Sequence, residues 1–117
     1  MILGLGIDIV PIRRMEDELK DAATGFFVGT FTPAEMSYCQ SAVSQKPAQH
    51  YAARFAAKEA AMKAYGLIGV KNFRSFEVRH SPSGAPILNK RNASLSISHD
   101  KNMAIAVVLT APMERVV

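Results

Sequence analysis

The feature that most constrains the fold of this 117-residue chain is an alanine-rich stretch, ARFAAKEAAMKAYG, at residues 53–66. Alanine and unbranched side chains favour a helix, and Gly66 stands where such a helix would end. We expect the helix to run from about Ala48 to about Tyr65. Its alanines allow close packing, yet Glu59 places a single carboxylate among them, which core packing does not require.

The first half of the chain predicts three further elements. The apolar run at residues 2–10 is typical of a buried strand, and the proline that follows suits the first turn of a helix over residues 11–20. The TPAE sequence at residues 32–35 has the residues of a capping box and predicts a helix that runs to about residue 44. We expect residues 21–29 to be a connector with inward-facing phenylalanines.

The second half changes to the alternating polar and apolar pattern of short strands separated by turns. The predicted strands lie at residues 74–80, 87–89, 94–100 and 103–110. Together these elements predict an α+β fold, with helices packed on a mainly antiparallel sheet. We expect one domain spanning residues 1–117, because no linker, repeat or low-complexity segment divides the chain.

Composition limits the classes of function. The formal net charge of +4 favours anionic partners such as phosphorylated cofactors or acidic proteins. Cys39 is the only cysteine, so we expect a partly buried, inert thiol in a reducing compartment. Asp8 interrupts the apolar N-terminus too early for a membrane span, and no basic–aromatic stripe indicates nucleic-acid binding. We therefore expect a cytoplasmic protein with neither a membrane nor a nucleic-acid partner.

Two carboxylates have both a structural and a functional interpretation. Asp8 would either cap the following helix or pair with Arg13 or Arg14, or it would be a ligand of a hard metal such as Mg²⁺. Glu59 would either form an exposed pair with Lys63 one turn later, or serve as a second metal ligand beside that lysine. In the functional case, two carboxylates and a cation suit phosphoryl chemistry.

The other candidates are basic. His99 would be either a satisfied histidine at the end of a strand or a contact to a phosphate or an adenine. Lys46, Arg54 and Lys58 would form either a solvated helix face or an anion site. Considered singly, these residues do not decide between the two interpretations.

Taken in order, however, five motifs resemble one family. They are GxGIDIVxxxR at residues 4–14, FTPAE at 31–35, ARFAAKEAxxKAxG at 53–66, GxP at 84–86 and SISH at 96–99. This series resembles holo-[acyl-carrier-protein] synthase, the short type of 4′-phosphopantetheinyl transferase, over nearly the whole chain. The resemblance implies the 4′-phosphopantetheinyl transferase fold as a single half-module.

The resemblance also implies an activity and an assembly. The family transfers the 4′-phosphopantetheine group of coenzyme A to a serine of an apo acyl carrier protein, requires Mg²⁺ and releases adenosine 3′,5′-bisphosphate. It is usually a homotrimer with active sites between subunits. The alternatives are a non-catalytic trimeric module that binds coenzyme A or a carrier protein on the same fold, and another divalent-metal phosphotransferase or nucleotide hydrolase.

Matching positions imply the catalytic roles. Asp8 and Glu59 would hold the metal against the pyrophosphate of coenzyme A, and Lys63 would stabilise or protonate the leaving group. Glu59, directly or through a bound water, would help to deprotonate the attacking serine.

The same matching implies the binding roles. Arg54 and His99 would contact the adenosine phosphate end of coenzyme A, with Lys46 as a further basic contact and Lys58 in the same anion site. Arg14, with its neighbour Arg13, would meet the acidic carrier protein.

The chain departs from the family pattern in three places. LIGV at residues 67–70 replaces a Gly-Thr-Gly-like run, residues 87–98 leave little room for the usual helix or longer loop, and the first predicted helix is rich in acids. These departures concern the rim of the coenzyme A site and the surface for the carrier protein.

Overall fold

The computed structural model describes residues 1–21, 25–41, 46–67 and 72–112. In chain order its elements are β1 (Gly4–Pro11), α1 (Ile12–Lys20), α2 (Phe26–Thr30), α3 (Pro33–Cys39), α4 (Pro47–Ala64), a 3₁₀ turn (Phe73–Ser75), β2 (Val78–His80), β3 (Pro86–Leu88), β4 (Ala93–His99) and β5 (Met103–Thr110). Strands β1, β5 and β4 form an antiparallel sheet in that order, and β2 and β3 form a separate antiparallel hairpin.

Helix α4 is the centre of the fold. It packs against β1, β5 and β4 on one side and contacts α1, α3 and β2 elsewhere. Most of its residues are buried, on every face of the helix. A helix that is buried all round must have small side chains where its neighbours come closest, and the alanines of α4 meet that requirement.

Two glycines bring β1 into direct contact with the backbone of α4. A Cβ atom at Gly4 would overlap the carbonyl oxygen of Ala64, and one at Gly6 would overlap the carbonyl oxygen of Ala60. Alternate residues of a strand share a face, so Asp8 lies on the same face of β1 as the two glycines, towards α4. The close approach therefore directs a carboxylate at the helix.

A buried ion pair joins α4 to α3, and the same lysine also holds the segment that leads into β2. Lys58 Nζ lies 2.6 Å from Glu35 Oε1, and both side chains are fully buried. The ammonium also donates to the carbonyl oxygens of Phe73 and Phe76, at 3.0 and 2.8 Å. Burial lowers the pKa of Lys58, and the neighbouring Glu35 carboxylate opposes that shift.

Glu35 also confirms the capping box predicted at the start of α3. Its side chain accepts from the backbone N–H of Thr32, while the Thr32 hydroxyl accepts from the N–H of Glu35. The other carboxylate oxygen accepts from the N–H of Val78 at 2.9 Å. One side chain thus caps α3, pairs with α4 and holds β2.

Three expectations need correction. Helix α3 ends at Cys39 rather than near residue 44, because Gln40 leaves helical geometry and its side-chain amide donates to the Tyr51 hydroxyl. Residues 42–45 lie outside the described part of the chain. Within the predicted connector, Phe26–Thr30 forms the short helix α2, whose phenylalanine rings pack against Phe31 and Tyr51.

The third correction concerns β1, which is buried on one face only. Leu5, Ile7 and Ile9 are 62%, 53% and 56% exposed on the face away from α4. The prediction of full burial was wrong because α4 covers one side of the sheet and no described element of the chain covers the other. Cys39 is fully buried rather than partly buried, and burial raises the pKa of its thiol to about 12.

No helix in the described ranges is long and apolar enough to cross a membrane.

We predict that Gly6→Ala destabilises the protein strongly, because the added methyl group forces β1 away from α4. Such overpacking typically costs about 1–3 kcal/mol, and here the clash is with backbone. Chemical unfolding measures the change. Gly29→Ala is the matched control, since its Cβ would meet nothing within 4 Å. Equal stability of the two variants would contradict the close approach.

Candidate active site

The core of the candidate site is an ion pair between Asp8 and Lys63. The ammonium of Lys63, on the last turn of α4, lies 3.2 Å from Asp8 Oδ1 and donates to the carbonyl oxygen of Ile7 at 2.9 Å. Both partners reach solvent, since the side chains of Lys63 and Asp8 are 53% and 19% exposed. The pair is therefore open to a ligand.

The structure supports neither of the two structural roles predicted for Asp8. Helix α1 has Pro11 at its N-cap and no side-chain cap, so Asp8 does not cap it. The ion pair that Asp8 forms is with Lys63 and not with Arg13 or Arg14, among the described residues.

Glu59 stands one helical turn before Lys63 and is partly buried. Residues four apart lie on the same face of a helix, so Glu59 faces the same side as Lys63. Within the described ranges, Lys63 pairs with Asp8 rather than with Glu59. One ammonium neutralises one carboxylate, so the site retains a negative charge. Two carboxylates are what Mg²⁺ commonly takes from a protein when it also binds substrate phosphates, so the residues fit that ion.

Arg54 lies on the same helix, but its side chain packs against α3. Its guanidinium stacks on Tyr38, with Cζ 4.1 Å from the ring centroid, and Nη1 donates to the carbonyl oxygen of His50 at 3.3 Å. The residue is only 4% exposed, and its Nε has no hydrogen-bond partner in the described part of the chain. Arg54 is thus a buried cation with an unused donor.

His99 is the last residue of β4 and is exposed. The turn that follows is tied to the start of α4, because Gln49 Nε2 donates to the carbonyl oxygen of Asp100 at 3.1 Å. The charges of Arg54 and His99 both lower the pKa of His50, after the larger effect of its burial.

Two cavities flank the same turn between β4 and β5. The larger, of about 370 Å³, has Lys46 and Gln49 on one wall and Lys101 on another. The smaller, of about 210 Å³, is lined in part by His99 and Asp100. Lys46, at the N-cap of α4, is exposed and free to contact a ligand in the larger cavity.

Lys58 does not belong to this site. Its ammonium has no exposure and is held by Glu35 and two carbonyl oxygens, so a cofactor has no access to it. The prediction that Lys58 binds the cofactor was wrong, because the sequence does not show that Glu35 lies against it.

The predicted carrier-protein residues lie on α1. Arg13 and Arg14 are both exposed, and the Arg14 guanidinium lies 4.7 Å from the centroid of the Phe55 ring. On the same helix, Asp17 pairs with Lys20 at 3.8 Å. Of the LIGV departure, only Leu67 is described, and residues 68–70 lie outside the described ranges.

Three residues near Arg54 were not predicted from the sequence: Tyr38, on which Arg54 stacks, and His50 and His80, whose rings contact Tyr38. The spacing of four residues between His50 and Arg54 was a local signal that they share a helix face. The positions of Tyr38 and His80 depend on the tertiary fold and had no such signal.

Comparisons with known proteins show the family of the chain. A profile described as "4′-phosphopantetheinyl transferase superfamily" matches residues 4–108. A holo-[acyl-carrier-protein] synthase of Koribacter versatilis is 40% identical over 93% of this chain and 98% of its own length.

Solved structures are similar as well. A holo-(acyl-carrier-protein) synthase of Bacillus anthracis, in complex with CoA (3′,5′-ADP), is 35% identical with a TM-score of 0.78, over 94% of this chain and 96% of that one. The synthase of Neisseria meningitidis is 30% identical with a TM-score of 0.82, over 96% of this chain and all of that one.

The chain therefore belongs to the 4′-phosphopantetheinyl transferase superfamily. Within it, the chain falls among the holo-[acyl-carrier-protein] synthases, as the motifs predict. The α+β fold predicted from the sequence is confirmed.

Proposed function

We propose that this chain transfers the 4′-phosphopantetheine group of coenzyme A to a serine of an apo acyl carrier protein and releases adenosine 3′,5′-bisphosphate. The observation that carries the proposal is the placement of Asp8 beside Lys63, with Glu59 one turn away on the same helix face. Carboxylates next to a solvent-open ammonium suit the transfer of a phosphoryl group between two oxygens.

Asp8 and Glu59 would hold Mg²⁺ against the pyrophosphate of coenzyme A. Bound there, the ion supplies charge neutralisation of the phosphates. The donor set supports this role, because both ligands are oxygens and Lys63 balances the charge of only one carboxylate.

Glu59 and Lys63 each have a role in one of the two proton transfers of the reaction. Glu59, directly or through a water, accepts the proton of the serine hydroxyl as the serine oxygen bonds to the pantetheine-side phosphorus. The bond from that phosphorus to the bridging oxygen breaks, and Lys63 stabilises or protonates this oxygen as adenosine 3′,5′-bisphosphate leaves. The side chain of Lys63 extends from α4 to β1, where its ammonium lies beside Asp8 and is available to the leaving oxygen.

The remaining predicted residues would bind the two substrates. His99 and Lys46 lie beside the turn between β4 and β5, and Arg54 lies one helical turn after His50; cations in these positions suit the adenosine phosphates. Arg14 and Arg13 present exposed cations from α1 to an acidic carrier protein. We place this reaction in the cytoplasm, as the sequence analysis predicts.

We further propose a homotrimer with active sites between subunits. Leu5, Ile7 and Ile9 of β1 lie beside Leu109, Val107 and Ile105 of β5 in the antiparallel register, on the face that α4 leaves open. A contiguous exposed apolar surface of this kind marks an interaction site. β1 is also the edge strand of its sheet, so a subunit that covers this face would lie next to the strand that carries Asp8.

The function is tested with purified protein, coenzyme A, Mg²⁺ and an apo acyl carrier protein, by measuring the intact mass of the carrier. We predict a gain of one phosphopantetheine group that a chelator abolishes. Glu59→Gln should lower the rate of transfer by at least about a hundredfold, the usual effect of losing an acid–base group. The free energy of unfolding of this variant should stay unchanged. Glu18→Gln, on α1, is the control for the loss of one carboxylate.

Other outcomes would favour the alternatives. Binding of coenzyme A without any mass gain, across several apo carriers, would support the non-catalytic binding module. Release of a nucleotide product without a carrier protein would support another phosphotransferase or a hydrolase.

We predict that Ile7→Lys converts the trimer into monomers and abolishes transfer, because it places a charge in the centre of the apolar sheet face. Sedimentation velocity measures the assembly. Val28→Lys is the matched control, since Val28 is 65% exposed on α2, away from the sheet. A fully active wild-type monomer would rule out the shared active site.

A further inference from the structure

Tyr38 lies where three elements of the fold meet, and the proposed reaction gives it no role. It belongs to α3, and its ring contacts two side chains of α4 and one at the end of β2. The guanidinium of Arg54 lies over the ring, with Cζ 4.1 Å from the centroid. The imidazole of His80 is stacked on it at a centroid distance of 4.4 Å and an interplanar angle of 22°, and that of His50 meets it edge-on at 5.4 Å. Tyr38 therefore links the position of Arg54 to β2.

Few other contacts hold the guanidinium of Arg54. In the described part of the chain it forms no ion pair, and its hydrogen bond runs from Nη1 to the carbonyl oxygen of His50, on the same helix. That bond is 3.3 Å long, which is longer than usual for an N–H donor. The ring of Tyr38 is the contact that restricts the cation further. A cation over an aromatic face is attracted to it most strongly away from water, and Arg54 is 4% exposed.

The kind of contact that holds Arg54 matters for its chemistry. A carboxylate holds a guanidinium by accepting from its N–H groups, whereas an aromatic ring attracts the cation through its face and uses no donor. Arg54 Nε has no hydrogen-bond partner among the described residues. A buried donor without an acceptor costs free energy until a ligand supplies one. Tyr38 thus holds the cation in place and leaves a donor for a substrate.

We propose that Tyr38 is a positioning residue of the transferase, which orients the Arg54 guanidinium for coenzyme A, and that His80 keeps the Tyr38 ring in place. This inference rests on the proposed function, in which Arg54 contacts coenzyme A. Tyr38 and His80 act on the affinity for coenzyme A through the guanidinium and do not touch the substrate. Neither takes part in the chemical step beside Asp8.

His80 is suited to hold the ring without disturbing the cation. It is the last residue of β2, and its nearly parallel ring restricts the movement of the Tyr38 side chain. Burial lowers the pKa of His80, and the charge of Arg54 lowers it further. The imidazole is therefore neutral at pH 7 and places no second cation next to the guanidinium.

The hydroxyl group of Tyr38 has no part in this role. It forms no hydrogen bond to another described residue, whereas the hydroxyls of Tyr51 and Tyr65 both form one. Tyr38→Phe therefore keeps the contacts of the ring, and Tyr38→Leu removes the aromatic face. The residue is 43% exposed, so neither substitution leaves a cavity in the core.

The first test combines the kinetics of transfer to an apo acyl carrier protein with calorimetry of coenzyme A binding, both at pH 7. We expect Tyr38→Leu to raise the KM and the Kd for coenzyme A about tenfold, with kcat near the wild-type value. Tyr38→Phe should behave like the wild type. Unchanged KM and Kd in Tyr38→Leu, or a loss confined to kcat, would overturn the proposal.

A double-mutant cycle shows whether Tyr38 acts through Arg54. Arg54→Met removes the guanidinium and keeps a long side chain. In that background Tyr38→Leu should weaken the binding of coenzyme A by less than about twofold, because no cation is left to orient. A further loss as large as in the wild-type background would overturn the positioning role, since Tyr38 would then contact the substrate itself.

Nuclear magnetic resonance relaxation of the Arg54 Nε–H group tests the orientation without any substrate. We expect this group to be rigid on the picosecond to nanosecond timescale in the wild type and in Tyr38→Phe, and mobile in Tyr38→Leu. A group that stays rigid in Tyr38→Leu would overturn the proposal. This measurement decides the positioning of Arg54 even if the wild type modifies no carrier protein, the result that would refute the proposed function.

The contribution of His80 is tested against its neighbour on β2. His80→Ala should raise the KM for coenzyme A about threefold, as for the loss of one aromatic contact, and His80→Phe should restore the wild-type value. Arg79→Ala is the matched control, because the Arg79 side chain pairs with Glu77 at 2.6 Å, and it should leave the KM unchanged. Equal KM values for His80→Ala and the wild type would overturn the role of His80.

Discussion

The packing of β1 directly on the backbone of α4 is the constraint on which the candidate active site depends. Gly4 and Gly6 leave no side chain between the strand and the helix, which sets the separation of the two elements. At that separation Lys63 spans from the helix to Asp8 and to the backbone of β1. A bulkier residue at either glycine would move the carboxylate away from the ammonium, so the same close contact that builds the core also assembles the reactive groups.

A second interaction links this core to the region around Arg54. The ion pair of Glu35 with Lys58 is buried between α3, α4 and the segment that leads into β2. Breaking such a pair on one side leaves an uncompensated buried charge, so the three elements are held together cooperatively. Since α3 carries Tyr38 and β2 ends at His80, the pair also sets the geometry around Arg54.

Local signals predicted the parts of the structure that depend on neighbouring residues. The alanine-rich composition of α4 and the Thr32–Glu35 capping box are of this kind, and both are confirmed. The exposed outer face of β1 was not predictable, because burial of a strand depends on what covers each side of its sheet. The role of Lys58 was missed for a similar reason: its partner lies 23 positions earlier, on another helix. The motifs identified the family, but the fold alone shows which cations remain accessible.

In the proposed mechanism, Asp8 and Glu59 hold one divalent cation together with the phosphates of coenzyme A. The most direct measurement is a titration of Mn²⁺, followed by electron paramagnetic resonance, in the presence of coenzyme A, because carboxylate sites for Mg²⁺ also take Mn²⁺. We predict that Asp8→Asn and Glu59→Gln each weaken Mn²⁺ binding by about tenfold or more, while Glu18→Gln has no effect. Undiminished Mn²⁺ binding in the first two variants would contradict the shared site and remove the main support for the proposed chemistry.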